Sequence, residues 1–210
     1  MITIDGSYGE GGGQILRTAL ALSAFTQQPF TLENIRAKRE KPGLKPQHLT
    51  SVKAVQKLCN ATVEGAELAS QKLVFYPKEI NSRNINIDIG TAGSITLVLQ
   101  AVMLPALFAD KNINITITGG TDVSMAPPAQ YLQEVFIPHI KKYAQDITFK
   151  LSKRGYYPAG GGEITLKIKP RFAIREKKLQ DIRAMLSGAL PIKLTEQGKR
   201  RVREFQFADL

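Results

Sequence analysis

The segment Gly9-Glu10-Gly11-Gly12-Gly13-Gln14-Ile15-Leu16-Arg17 has a counterpart 80 residues later, where Gly93-Ser94-Ile95 stands in the place of Gly13-Gln14-Ile15. The same offset sets Gln47-His48-Leu49 against Pro127-Pro128-Ala129. Self-similarity at a fixed spacing points to a repeated structural unit. Around these anchors the apolar periodicity repeats as well. Met1–Asp5 and the alternating Ile85–Ile89 read as strands, each followed by a glycine-rich turn and a helix, from Gly13 to about Phe25 and from Gly93 to about Phe108. Strands at Phe30–Ile35 and Ile113–Thr118 come next. Second helices then run from His48 to Cys59, with Val52, Val55 and Leu58 on one face, and from Ala129 to Tyr143, with Leu132, Val135, Phe136 and Ile140 on one face. Ala61–Val63 with Leu73–Tyr76, and Ile147–Leu151 with Glu163–Ile168, complete the two copies. The expectation is an α/β chain, in layer terms an α+β two-layer sandwich, built from tandem β-α-β-α-β-β units at 1–80 and 81–170. A basic remainder, 171–210, carries helical patterns near Leu179–Leu186 and Thr195–Phe205.

Composition narrows the function classes. Hydrophobic residues make up 43% and charged residues 22% of the 210, an ordinary globular balance. No apolar run approaches the ~18 residues of a membrane span, and no basic-then-apolar leader opens the chain. Cys59 is the single cysteine and sits among Val52, Val55 and Leu58, so a buried, inert thiol and a reducing, cytoplasmic setting are expected. The net charge of +11 is uneven: residues 151–210 hold 14 Lys/Arg against 6 Asp/Glu. A second basic cluster, Arg36, Lys38, Arg39, Lys41, Lys45 and Lys53, is opposed only by Glu40. Such surfaces attract phosphates and polyanions, or serve only as solvated charge.

Five segments could carry chemistry. The first glycine turn permits close backbone approach. It can receive an anion at a helix start, hold a cation through Glu10 with Arg17 reaching a phosphate, or be only a tight turn with a capping Glu. It lacks the Lys-Ser/Thr ending of a P-loop. The loop Arg36–His48, bent by Pro42-Gly43 and Pro46, offers Arg36 and Arg39 as planar forks for one phosphate, or is a charged surface loop; His48 alone suits a cap as well as a catalyst. In the second copy, Gln100 is an amide in an apolar helix and needs a partner, either a neighbouring turn or a ligand. Gly119-Gly120-Thr121-Asp122 leads to Ala126-Pro127-Pro128, whose prolines start a helix and offer a flat apolar face. Arg154-Gly155-Tyr156-Tyr157-Pro158 with Gly160–Gly162 is a base-stacking surface or a plain strand connection. One Cys and two His make no zinc set.

The ordered motifs Gly-Glu-Gly-Gly-Gly-Gln-Ile-Leu-Arg (9–17), Lys-Pro-Gly-Leu-x-x-Gln-His (41–48), Gly-x-Ala-Gly-Ser (90–94), Gly-Gly-Thr-Asp (119–122) with Ala-Pro-Pro (126–128), and Gly-x-Tyr-Pro-x-Gly-Gly-Gly (155–162) resemble the RNA 3'-terminal phosphate cyclase family over about residues 1–170. The resemblance implies three such units with a small α/β domain inserted before the third. It also implies an ATP-dependent ligase that converts an RNA 3'-phosphate to a 2',3'-cyclic phosphate through histidine–AMP and RNA–adenylate intermediates. By the same resemblance, Glu10 stands near a Mg2+ or Mn2+ ion and the ATP phosphates. Arg17, Arg36, Arg39 and Gln47 hold phosphates, including the RNA end. His48 supports activity without being the nucleophile, and Gln100 and Pro127 border the nucleotide, Pro127 against adenine. The adenylated histidine belongs to the family's third unit, so the chain is expected to be an N-terminal portion that stops before it, with 171–210 the start of the inserted domain or a degenerate tail. His139, following Pro138, is expected to be structural. The expected partners are ATP and RNA with a 3'-phosphate, with self-association or a complementary C-terminal part, and no membrane. A non-catalytic cyclase-like RNA-binding or ribosome-assembly factor, and an enolpyruvyl transferase-like enzyme, are the alternatives.

Overall fold

The computed structural model describes residues 1–81 and 84–171, all within one compact unit; the expected helices near 179–186 and 195–205 lie outside the described residues. Two four-stranded mixed sheets are formed. In the first, β1 (Ile2–Asp5) pairs parallel with β2 (Phe30–Glu33), and β2 pairs antiparallel with β4 (Leu73–Tyr76), which carries β3 (Thr62–Glu64) on its far side. The second sheet repeats that order with β5 (Asn84–Asp88), β6 (Ile113–Gly119), β8 (Gly162–Pro170) and β7 (Ala144–Lys153). The alternation decides which face is covered: Ile113, Ile115 and Ile117 of β6 are buried, as are Ile164, Leu166 and Ile168 of β8. The mixed α/β class and the order of strands and helices agree with the periodicity.

Three long helices link strands within the sheets: α1 (Gly13–Thr26) and α2 (Pro46–Cys59) in the first, and α3 (Ile95–Leu107) in the second. Ten of the thirteen residues of α3 are buried, and it packs against both α1 and α2. A helix that is apolar on all sides must be surrounded. This one is the shared core of the two copies, closed at one end by Phe25 of α1 edge-on to Phe108, with ring centres 5.0 Å apart. Ser94 caps α3 by accepting the Leu97 N–H, so the helix starts at Ile95, two residues later than the apolar pattern suggests. β2 stops at Glu33 rather than Ile35 because Asn34 takes a positive φ.

The expected helix over Ala129–Tyr143 is broken into α4 (Ala129–Tyr131), a π turn (Leu132–Phe136), α5 (Ile137–Ile140) and a 3₁₀ turn (Lys141–Tyr143). Pro138 supplies the reason. It has no N–H for the carbonyl four residues back and its ring crowds that carbonyl, which the wider π turn relieves. The extra residue rotates the inward face. Leu132 and Ile137, five apart, are buried with Ala129, whereas Val135 and Phe136 of the expected apolar face point outward. His139 is exposed beside Pro138. The rotation is testable: Ile137→Ala should lower stability by about 2–4 kcal/mol, the usual cost of emptying a buried aliphatic site, and Phe136→Ala, 36% exposed, by under ~1 kcal/mol. Urea midpoints in the reverse order would restore the continuous helix.

Candidate functional site

The loops at one end of the two sheets converge. The first glycine turn leads β1 into α1, and the basic loop leads β2 into α2. The second glycine turn leads β5 into α3. Gln47, at the start of α2, accepts the Ser94 backbone N–H at 2.9 Å, so the basic loop of the first copy is tied to the glycine turn of the second. Gln47 thus has a structural partner within the same cluster that the sequence motifs mark.

Arg17 lies one turn into α1 and is 7% exposed. Its Nε donates to Gln100 Oε1 at 3.3 Å and its Nη2 to Gln14 Oε1 at 3.1 Å. Both partners are neutral amides. Among the described residues no carboxylate lies within ion-pair reach of Arg17. A buried cation without an anion is costly, and desolvation pulls its proton affinity down. Gln100, the amide expected to need a partner, finds it in Arg17. Gln14 belongs to the first motif without an expected role; its spacing of three from Arg17, on one helix face, is the signal that finds it.

The glycine turn is packed against cations. An alanine methyl at Gly13 would collide with His48 Nε2 and come within 3.0 Å of Arg17 Nη1, and one at Gly12 would lie 3.5 Å from Arg39 Nη2. Lys38 Nζ donates to the Gly9 carbonyl at 3.4 Å. Arg39 Nη2 meets Glu10 Oε2 at 3.2 Å in an exposed ion pair, the Glu10 side chain being 91% exposed. Glu10, Arg17, Arg39 and His48 are therefore gathered around one turn. Arg36 also braces the loop that presents Arg39. It takes a positive φ, and its Nη1 donates to the carbonyls of Lys41 (2.7 Å) and Gly43 (3.0 Å). In the second copy, Thr96 Oγ1 donates to the Pro127 carbonyl at 2.7 Å, which fixes the half-buried Pro127 over the start of α3. Among the described residues no cluster of three or more His, Cys, Asp or Glu could hold a metal by itself, and no helix is long and apolar enough to cross a membrane. Cys59 is buried, and burial pushes its thiol up.

His48 is an acceptor. The Lys45 N–H donates to Nδ1 at 3.2 Å, leaving the proton on Nε2, against Gly13. Burial, and then the charges of Arg36, Arg17 and Lys45, push its pKa down to about 4. The imidazole is neutral at pH 7, and caps α2 among cations. The unfolded chain takes up this proton near pH 6.5 while the folded chain does not, so the stabilisation is complete above about 6.5 and declines as pH falls towards 4. Urea midpoints should drop between pH 7 and pH 5, within a ceiling of roughly 3 kcal/mol over the whole window. His48→Asn, which keeps an acceptor near Nδ1, should flatten the dependence. Asp5 and Asp146, whose carboxyls are held below the usual range by hydrogen bonds, act only at lower pH. An unchanged slope in the variant would contradict the buried neutral imidazole.

The model of the RNA 3'-terminal phosphate cyclase family matches residues 8–196. An RNA 3'-terminal phosphate cyclase of Pyrococcus furiosus is 54% identical over 170 residues, covering 81% of this chain and 50% of that protein. The corresponding proteins of Staphylothermus marinus (45% over 199 residues, 95% and 52%) and Nitrosospira multiformis (48% over 175 residues, 83% and 50%) give the same picture. The chain spans about half the length of these curated relatives. With the match covering most of the sequence and the motif residues gathered at one end of the sheets, the chain belongs to the RNA 3'-terminal phosphate cyclase family.

Proposed function

We propose that this chain forms the phosphate-binding platform of an RNA 3'-phosphate cyclase, acting on ATP and on RNA that ends in a 3'-phosphate. The observation that carries the reading is Arg17: a buried guanidinium whose side-chain partners among the described residues are neutral amides, and which lies against a glycine turn whose backbone can be approached closely. An arriving phosphate supplies the missing negative charge, and in a partly desolvated site that pairing is stronger than at the surface. Arg39 adds a long-armed fork at the rim. Arg36 adds charge while keeping the loop in shape, and Gln47 holds the two loops together. The neutral His48 occupies space among these cations without adding to their repulsion.

Glu10 is an exposed carboxylate in the turn, which fits the habit of Mg2+ or Mn2+ of taking one or two protein carboxylates, waters and substrate phosphates rather than a full protein cage. When bound, such an ion neutralises phosphate charge. In this reading Gln100 orients Arg17 towards the nucleotide, and Pro127, held by Thr96, provides a flat apolar face for adenine. ATP gives up an adenylyl group with loss of pyrophosphate, the adenylyl group activates the RNA phosphate, and attack by the neighbouring 2'-hydroxyl closes the ring and releases AMP. The contribution of these residues is to bind and orient two phosphate-bearing substrates. A reducing, cytoplasmic setting agrees with the lone buried Cys59.

A 3'-phosphorylated single-stranded RNA should bind this chain at least tenfold more tightly than the same RNA ending in a 3'-hydroxyl. Arg39→Ala should remove about 1–3 kcal/mol of binding to the phosphorylated end, the scale of a hydrogen bond to a charged group. Fluorescence anisotropy at fixed salt measures both. Equal affinity for the two ends would sink the proposal.

A further inference from the structure

The connection between β7 and β8 is not used by the phosphate platform, yet it is firmly held. Tyr156 and Tyr157 are 55% and 84% exposed, while Phe25, Phe30, Phe75 and Phe108 are buried. An exposed aromatic pair gains no packing in the free protein. The loop that carries it is nevertheless anchored through its backbone. Gly155 N–H donates to Thr121 Oγ1 at 2.9 Å, and the Gly155 carbonyl accepts the N–H groups of Thr121 (2.8 Å) and Asp122 (3.2 Å). Arg154 Nη1 grips both carboxylate oxygens of Asp122, at 3.1 and 3.0 Å, and the Gly160 N–H returns to the Tyr156 carbonyl at 2.7 Å.

The anchoring also fixes the backbone that carries the rings. A Cβ at Gly160 would lie 2.6 Å from the Thr91 carbonyl oxygen and 2.9 Å from Ala92 Cα, so the loop rests directly on the second glycine turn. The other side of that turn is bonded by Gln47 through Ser94. A continuous surface therefore runs from the basic loop, across Gln47 and the second glycine turn, to Gly160 and the two tyrosines. One end is cationic and suited to a phosphate. The other presents solvated rings on an anchored backbone. That combination of a positive groove and aromatic faces binds single-stranded nucleic acid by charge along the backbone and by stacking of the bases, with little dependence on which base is stacked. Because the loop is already ordered, little conformational freedom is lost when a base arrives.

We propose that Tyr156 and Tyr157 form a base-stacking platform for the single-stranded RNA that leads up to the 3'-phosphate held in the Arg17–Arg39 cradle. The platform rests on the reading of that cradle as an RNA-end site and assigns the RNA body its path away from it. Stacking on a tyrosine face tolerates any base, so the platform grips RNA ends of varied sequence.

The test uses the 210-residue chain and a 5'-fluorescent RNA hexamer with a 3'-phosphate, with uridine 3'-monophosphate as the competitor that lacks the preceding bases. The double variant Tyr156→Ala/Tyr157→Ala should bind the hexamer about tenfold or more weakly and bind the mononucleotide as the wild type does. Tyr157→Phe should keep hexamer affinity. The chain has no Trp, so Tyr157→Trp places a single tryptophan in the platform, and its emission should be quenched by the hexamer and not by the mononucleotide. Hexamer affinity unchanged in the double variant, or tryptophan emission unmoved at saturation, would overturn the platform. Mononucleotide binding with no gain for the hexamer would defeat the platform alone. Failure of both ligands to bind would remove the RNA-end reading and the platform with it.

Discussion

The hydrogen bond from Arg17 to Gln100 joins the two copies of the repeat at the point where their helices meet, and much of the structure answers to it. A guanidinium removed from water costs several kcal/mol even after relaxation. Here two amide oxygens offset part of that cost, and no carboxylate among the described residues offsets the rest. Gln100 can serve because α3 is packed by both α1 and α2. Gln14 can serve because it sits a turn away from Arg17. The missing side chain at Gly13 leaves room for both Arg17 and His48 beside the backbone. Core and site are thus the same set of contacts seen from two sides.

The electrostatics of the cluster follow from that crowding. Arg17, Arg36 and Lys45 all act on His48, and with burial they keep its ring neutral. Arg39 adds its charge to Arg36, whose proton affinity falls through desolvation first and that neighbour second. Glu10 at the rim answers Arg39 alone. A site with this balance is short of negative charge, and the side-chain partners of Arg17 among the described residues are neutral amides. That is the arrangement expected where the counter-charge arrives with a ligand.

Several of these features are legible in the sequence. The offset of Gly13-Gln14-Ile15 and Gly93-Ser94-Ile95 sets out two copies of one strand and helix order, and the two sheets share one strand order. Gln100 among Leu97, Val98, Leu99 and Ala101 announces an amide in apolar surroundings that needs a partner. Its partner is not legible, because Arg17 is 83 residues away and only the packing of α1 on α3 brings them together. Arg36 reads as a second phosphate fork; its positive φ and its bonds to Lys41 and Gly43 depend on a loop conformation that charge patterning does not encode. The inner face of the fourth helical segment departs from its apolar pattern for a related reason. Periodicity assumes 3.6 residues per turn, and the π turn beside Pro138 inserts one residue and moves burial from Phe136 to Ile137.

If the buried Arg17 charge awaits an anion, proton–nitrogen NMR of the chain during titration with inorganic pyrophosphate, a probe without base or sugar, will register its arrival. The Arg17 Nε–H resonance and the backbone amides of Gly11 to Gly13 should shift together and saturate at one concentration. Saturating shifts elsewhere in the basic surface, with Arg17 and the glycine turn unmoved, would contradict the role given to Arg17.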